Sequence, residues 1–172
     1  MQNAHFDYSS THIEPPNDIA DDVITWGREH ITDDEIFVSL QDFTYGREDE
    51  IHITILNGIH SEKTDQLVML LRGETPLHVQ LGEVRVFSNA PKYDVLIIEV
   101  FSSDLIKLNK KLAKKIPFTE KYASYNPHLT IAYVKKGKGW RHNGLDRWKG
   151  STFVTNQIVF SSKNGIKEYI IL

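Results

Sequence analysis

The chain has 172 residues, 40% of them hydrophobic and 25% charged, with a net charge of −3 and no cysteine. A chain of this length buries a core without covalent staples, and the missing cysteines exclude disulfides, thiolate zinc sites and cysteine nucleophiles. The mildly acidic balance argues against a long nucleic-acid groove, which needs a surplus of Lys and Arg. A locally basic pocket for a small phosphorylated ligand stays open. No apolar run approaches the roughly 20 residues of a membrane span, and the MQNAHFDYSSTHIE start lacks the basic and apolar regions of a signal peptide. The expectation is a cytoplasmic protein built as one domain over 1–172.

In chain order, residues 8–13 (YSSTHI) suit a first strand, ended by Pro15-Pro16. Asn17 or Asp18 can cap a helix over about 19–30, with Ile19, Val23, Ile24 and Trp26 as its apolar contacts. The stretch 32–50 carries Asp33, Asp34, Glu35, Asp42, Glu48, Asp49 and Glu50, and suits loops and turns with one short strand around 36–40. IHITIL at 51–56 is dense and β-branched, a strand that Gly58 ends. Ser61 opens a helix through about 71, with Gly73 as its stop. Strands follow at about 79–87 and 93–101, turning around Asn89-Ala90-Pro91. Ser102 or Ser103 caps a lysine-rich helix to 115, and Pro117 terminates it. A strand over 128–134, the Gly- and Lys-rich stretch KKGKGWRHNG, and two strands at about 153–160 and 167–172 turning at Asn164-Gly165 complete the chain.

One internal echo stands out. His-Ile-Thr-Ile at 52–55 recurs as His-Leu-Thr-Ile at 128–131, close to half the chain away. Side chains alternate along a strand, so His52 and Thr54 share a face, with Ile51, Ile53 and Ile55 opposite. His128 and Thr130 do the same, with Leu129, Ile131 and Tyr133 opposite. The repeat suggests two α+β lobes facing one another, with both polar pairs lining a cleft. Such a cleft suits phosphodiester cleavage. One neutral imidazole removes a proton from the attacking oxygen, and a second, protonated one donates to the leaving oxygen. Each threonine hydroxyl can donate to a non-bridging phosphate oxygen. A lone His-x-Thr is a weak signal, but two copies in apolar strands half a chain apart are not.

The paired IHITIL and PHLTIAYV resemble the two signature motifs of the 2H phosphoesterase superfamily, over about residues 8–172. The resemblance implies a bilobal, pseudo-symmetric α+β fold, with two antiparallel sheets facing a central cleft and helices on the outside. It also implies that His52 and His128 are acid and base, that Thr54 and Thr130 bind phosphate, and that no metal or cofactor is needed. STHIEPPNDIADDVITWGREHITDDEIF, ITILNGIH and HLTIAYVKKGKG further resemble phage-encoded members of the anti-CBASS branch, which degrade cyclic di- and trinucleotide signals of bacterial immunity. That resemblance implies a cyclic di- or trinucleotide substrate with a 3′–5′ linkage.

Tyr8 and Trp140 are the candidate base-stacking residues. Tyr8 sits in the first strand, and a half-buried structural aromatic is the competing reading. Trp140 lies among Lys135, Lys136, Lys138 and Arg141 and could form a lid, or pack back on the sheet as part of a hairpin tip. Trp148 suits a structural role. Gly137 and Gly139 lack the context of a P-loop, and the lysines at 107, 110, 111, 114 and 115 suit a solvated helix face. Histidines 5, 12, 30, 60, 78 and 142 show no zinc-hydrolase spacing such as His-Glu-x-x-His, and no Gly-x-Ser-x-Gly elbow is present. Three readings remain open: a cyclic-oligonucleotide phosphodiesterase, an enzyme opening 2′,3′-cyclic or 2′,5′-linked RNA ends, and a non-catalytic module that sequesters a nucleotide.

Overall fold

The computed structural model describes residues 6–40, 45–119 and 124–172. Asp42 and His5 fall outside them. The elements, in chain order, are β1 (Ser9–Ile13), α1 (Asn17–His30), β2 (Ile53–Ile59), α2 (Asp65–Leu71), β3 (Leu77–Phe87), β4 (Tyr93–Phe101), α3 (Ser103–Ala113), β5 (His128–Lys135), a short 3-10 turn at Gly139–His142, β6 (Thr152–Thr155), β7 (Gln157–Ser161) and β8 (Lys167–Ile171). All strand pairs are antiparallel, and together they make one eight-stranded sheet in the order β6-β3-β4-β5-β2-β1-β7-β8. The expected division into two separate sheets is therefore corrected: the halves are joined. The joint is narrow, a single register pair, Ile53 opposite Leu129.

The sequence echo becomes an approximate two-fold about that pair. β1-α1-β2 on one side and β4-α3-β5 on the other are each a strand, a helix and the His-x-Thr strand, and each outer strand pairs with its inner one. β7 then flanks β1, and β3 flanks β4. The predicted strand at 153–160 is in fact two strands. β6 ends at Thr155 on one margin of the sheet, and β7 starts at Gln157 beside β1, in the other half. Two residues span at most about 7 Å, so the sheet must curl to bring these regions together.

One face of the sheet carries the core. Ile13, Ile53, Ile55, Leu96, Ile98, Val100, Leu129 and Val134 join Val23 and Trp26 of α1, Leu67 and Leu71 of α2, and Leu105, Leu108 and Leu112 of α3 in one buried cluster. The leucines of α3 recur every three or four residues, the helical period. Its start is set by Ser102, whose hydroxyl accepts from the amide of Leu105 at 3.1 Å. α1 begins at Asn17 after Pro16 without a side-chain cap, so the expected Asn17 or Asp18 cap is not formed. Residues 36–40 contribute only an isolated bridge, Ile36 to Val134.

β2 does not end at Gly58, as its glycine suggested, but runs through it. Gly58 has φ +79°, its carbonyl accepts from the amide of Thr119 at 2.9 Å, and a Cβ there would stand 2.3 Å from the Thr119 carbonyl oxygen. Gly58→Ala therefore combines a left-handed backbone with a backbone clash. It is expected to lower unfolding free energy by about 1–3 kcal/mol or more. An unchanged urea midpoint would refute this account of the β2 end.

Candidate active site

Ile53 and Leu129 are both fully buried on the core side. Their sequence neighbours therefore point to the face away from the helices. Antiparallel register about the pair sets His52 opposite Thr130 and Thr54 opposite His128. All four are half-buried, and each adjoins the fully buried Ile53 or Leu129. The seam that joins the two halves thus also gathers both His-Thr pairs on one patch.

The two histidines are pinned alike. Nδ1–H of His52 donates to the carbonyl of Glu50 at 2.7 Å, and Nδ1–H of His128 donates to the carbonyl of Asn126 at 2.8 Å. A carbonyl only accepts, so each Nδ1 carries its proton and Nε2 of the neutral ring is the reactive nitrogen. The surroundings differ. Burial lowers the pKa of His128, the hydrogen bond to Asn126 counters this, and the charge of His52 adds to the lowering. Phe87 meets the His128 ring edge-on at 5.1 Å between centroids. His52 instead lies against the ring of His12, at 4.9 Å. Nearby, Lys167 bridges Glu14 at 3.0 Å and Glu50 at 2.9 Å.

Beyond Thr130 the same face is paved with aromatics. β5 carries an extra residue against β4, since Leu96 pairs with Ala132 but Ile97 pairs with Thr130. This bulge turns Tyr133 to the His128 side. The expectation that Tyr133 anchors the core with Leu129 and Ile131 is corrected accordingly: an inserted residue reverses the alternation. Tyr133 joins Tyr93, Tyr45 and Phe37, with neighbouring ring centroids 5.0 to 5.7 Å apart. None of these four belongs to the helix-side core. The Val95–Tyr133 pair lies two β4 residues from the Ile97–Thr130 pair, about 6.6 Å along the strand.

The two candidate stacking residues are not in this patch. Tyr8 precedes β1 at the end remote from His12 and stacks on His60 at 5.4 Å. Trp140 is 52% exposed, on a segment carried by the helix-covered face: Gly139 packs on the core-side valines Val86 and Val134, and Arg141 bonds the carbonyl of His30 in α1. That placement corrects the lid expectation. Trp148 is buried in the core against Trp26. Sequence reasoning missed His12, Phe87 and the aromatic set. The only local signals were alternation in Tyr93-Asp94-Val95 and the aromatic content of β5.

Among the described residues no three His, Asp or Glu side chains gather as a metal site, and no helix is long and apolar enough to cross a membrane. A cavity of about 430 Å³ lined by Arg28, Arg47, Glu48 and Ile131 lies on the α1 side of β5, away from the His-Thr patch.

Comparisons with known proteins agree with this fold. The family model described as the 2′-5′ RNA ligase superfamily matches residues 30–147. The chain belongs to that superfamily, the 2H phosphoesterases, and is an enzyme of the phosphodiesterase class. Similar solved structures include E. coli LigT complexed with NADP+, at 15% identity and TM-score 0.61 over 96% of this chain and 94% of that one. TT0787 of Thermus thermophilus matches at 16% and 0.60, over 96% and 94%. Kluyveromyces marxianus Usb1 with uridine monophosphate matches at 13% and 0.56, over 99% of each chain. At these identities the likeness is one of fold. Comparison with curated protein sequences returns no match.

Two groups, the buried His12 beside the patch and Glu48 in the cavity on the α1 side, tie stability to pH in opposite senses. Burial, reinforced by the charges of His52 and Lys167, lowers the pKa of His12 from 6.5 to about 3. The unfolded chain takes up this proton first, so the His12 contribution is whole above pH 6.5 and is lost as pH falls toward 3. Burial, with Asp49 and Glu50 adding, raises Glu48 from 4.5 to about 7. Here the folded protein holds the proton more tightly, so stability falls as pH rises from 4.5 to 7. Between pH 7 and pH 4, His12→Phe is expected to lose about 3 kcal/mol less unfolding free energy than the unaltered protein. Parallel urea-derived curves for the two would mean that His12 titrates normally.

Proposed function

We propose that His52 and His128 are the acid and base of a metal-independent phosphodiesterase and that Thr54 and Thr130 hold the scissile phosphate. The observation that carries this reading is the pair of matched imidazoles, each pinned through Nδ1 to a carbonyl two residues earlier, beside two threonines on one sheet face. His128, with its pKa lowered by burial, stays neutral at pH 7 and suits the base. His52 is then left for the acid. In one turnover, Nε2 of His128 takes the proton of a ribose 2′-hydroxyl, whose oxygen bonds to phosphorus. The bond from phosphorus to the departing 5′-oxygen breaks, and that oxygen takes a proton from His52. The threonine hydroxyls donate to the non-bridging oxygens, where charge develops.

The substrate we favour is a cyclic di- or trinucleotide with a 3′–5′ linkage, a bacterial immune signal, and the role that of a phage anti-CBASS enzyme in the host cytoplasm. Support comes from the aromatic patch. A cluster of aromatic rings about one nucleoside length from the phosphate position offers a ring face or edge to a nucleobase. The net charge of −3 favours a small ligand over a long RNA. The similar structures of LigT with NADP+ and 3′-AMP and of Usb1 with uridine monophosphate hold nucleotides.

The deciding assay incubates the protein in EDTA with cyclic dinucleotides, cyclic trinucleotides and nucleoside 2′,3′-cyclic phosphates. Loss of a cyclic oligonucleotide is expected, with kcat reduced about 10²–10⁴-fold in His52→Ala and in His128→Ala. Opening of the nucleoside cyclic phosphates alone would move the protein to RNA-end chemistry. Intact ligand recovered after stoichiometric capture would make it a sequestering module. Since the base must be neutral, kcat/KM should fall on acidification only below the ordinary histidine value of about 6.5. A fall centred above that value would remove His128 from the role.

The aromatic patch has its own test. Tyr133→Ala is expected to raise KM for a cyclic dinucleotide by about 5- to 100-fold while changing kcat less. An unchanged KM would show that the base binds elsewhere.

A further inference from the structure

His12 is a buried titratable side chain beside the His-Thr patch that the proposed chemistry does not use. It is 5% exposed, and its Nε2 is buried without a hydrogen-bond partner. Its neighbour across the sheet is Thr54 on one side and Val159 on the other, so the imidazole stands in the row that crosses β2 beside His52. A phenylalanine or leucine would fill this place without leaving a polar nitrogen unsatisfied. Core packing alone therefore does not account for a histidine here.

What it touches suggests an answer. On one side its ring packs on the ring of His52, at 4.9 Å and a 52° tilt. On the other, its Nε2 is 3.8 Å from Glu14. Glu14 is bridged by Lys167 to Glu50, and the carbonyl of Glu50 accepts the Nδ1–H of His52. The contacts close a circuit: His52, Glu50, Lys167, Glu14, His12 and back to His52. The charged groups facing His12 are Glu14 from the end of its own strand, His52 and Glu50 from the β2 approach, and Lys167 from β8. The ring packed on His128 is instead Phe87 of β3, while the two-fold counterpart of His12, opposite Thr130 on β4, is Ile97.

We propose that His12 is a positioning residue for His52: its ring is the wall that, together with the Glu50 carbonyl, holds His52 with Nε2 turned to the phosphate. The proposal rests on His52 being the acid of the reaction above. It adds that a second, buried histidine determines how well that acid is aimed. Imidazole fits where phenyl would also pack because its Nε2 edge abuts the Glu14–Lys167–Glu50 clamp, so wall and clamp restrain the same ring from two sides.

The test compares His12→Ala, His12→Phe and His52→Ala on the substrate that the unaltered protein turns over, with thermal unfolding measured for each. His12→Ala removes the wall and is expected to lower kcat about 10- to 100-fold with KM within about twofold. His12→Phe restores a ring, and is expected to recover most of that kcat while unfolding at no lower a temperature. The 15N resonances of His52 should report the Nδ1–H tautomer in the unaltered and Phe proteins, and a tautomer mixture in the Ala protein. A folded His12→Ala with full kcat and an unchanged His52 tautomer overturns the proposal. So does a folded His12→Phe as impaired as His12→Ala, which would assign the work to an imidazole nitrogen. His52→Ala separates the two readings: if it too retains activity, the assignment of His52 has failed rather than that of His12.

Discussion

The arrangement hangs on one buried cross-strand pair. Ile53 and Leu129 provide the only register contact between β2 and β5, and both are fully buried. Because strand side chains alternate, burying these two forces His52, Thr54, His128 and Thr130 to the opposite face. A slip of one residue on either strand would drive a histidine and a threonine into the apolar cluster beneath the helices, where neither has a partner. The hydrophobic core therefore does more than hold the halves together. It sets the register that faces one His-Thr pair to the other, and it does so through a single pair, since the longer ladders of β2 and β5 go outward to β1 and β4.

What the sequence discloses and what it hides follow from the range of the interactions involved. The His-x-Thr echo, β4 at Tyr93–Phe101 and the Ser102 cap depend on residues within a few positions of one another, and all are visible as local patterns. The split of 153–160 into β6 and β7 is not. Its residues alternate well enough for one strand, and only the curl of the whole sheet sends the two pieces to different halves. Tyr133 is hidden for a related reason. Its face depends on a bulge that exists only because β5 is matched against β4. The single sheet was equally illegible, because whether two lobes share a strand pair rests on one contact between residues far apart in the chain.

The candidate site shows the same division. His52 and His128 announce themselves by repetition. His12 does not, because nothing in YSSTHI says which side of β1 meets β2, and two register irregularities in β1 spoil any simple count. The aromatic patch draws on residues 37, 45, 93 and 133, which are scattered over more than half the chain and meet only on the folded face.

A near-symmetric frame raises a question that its chemistry answers. In the proposed reaction, two identical histidines in identical settings would titrate together and serve poorly as acid and base, which need to differ at the same pH. Here the backbone repeats while the walls do not. His128 is desolvated against Phe87, and His52 lies in a polar circuit of His12, Glu14, Glu50 and Lys167. Maintaining that difference has a structural cost. Thr11 Oγ1 and His12 Nε2, adjacent on β1, are both buried without partners, in a strand that could have been wholly apolar. Both lie on the strand that backs His52, whereas the ring packed on His128 is the phenyl of Phe87 on β3, so the two histidines differ in their walls while sharing one backbone pattern.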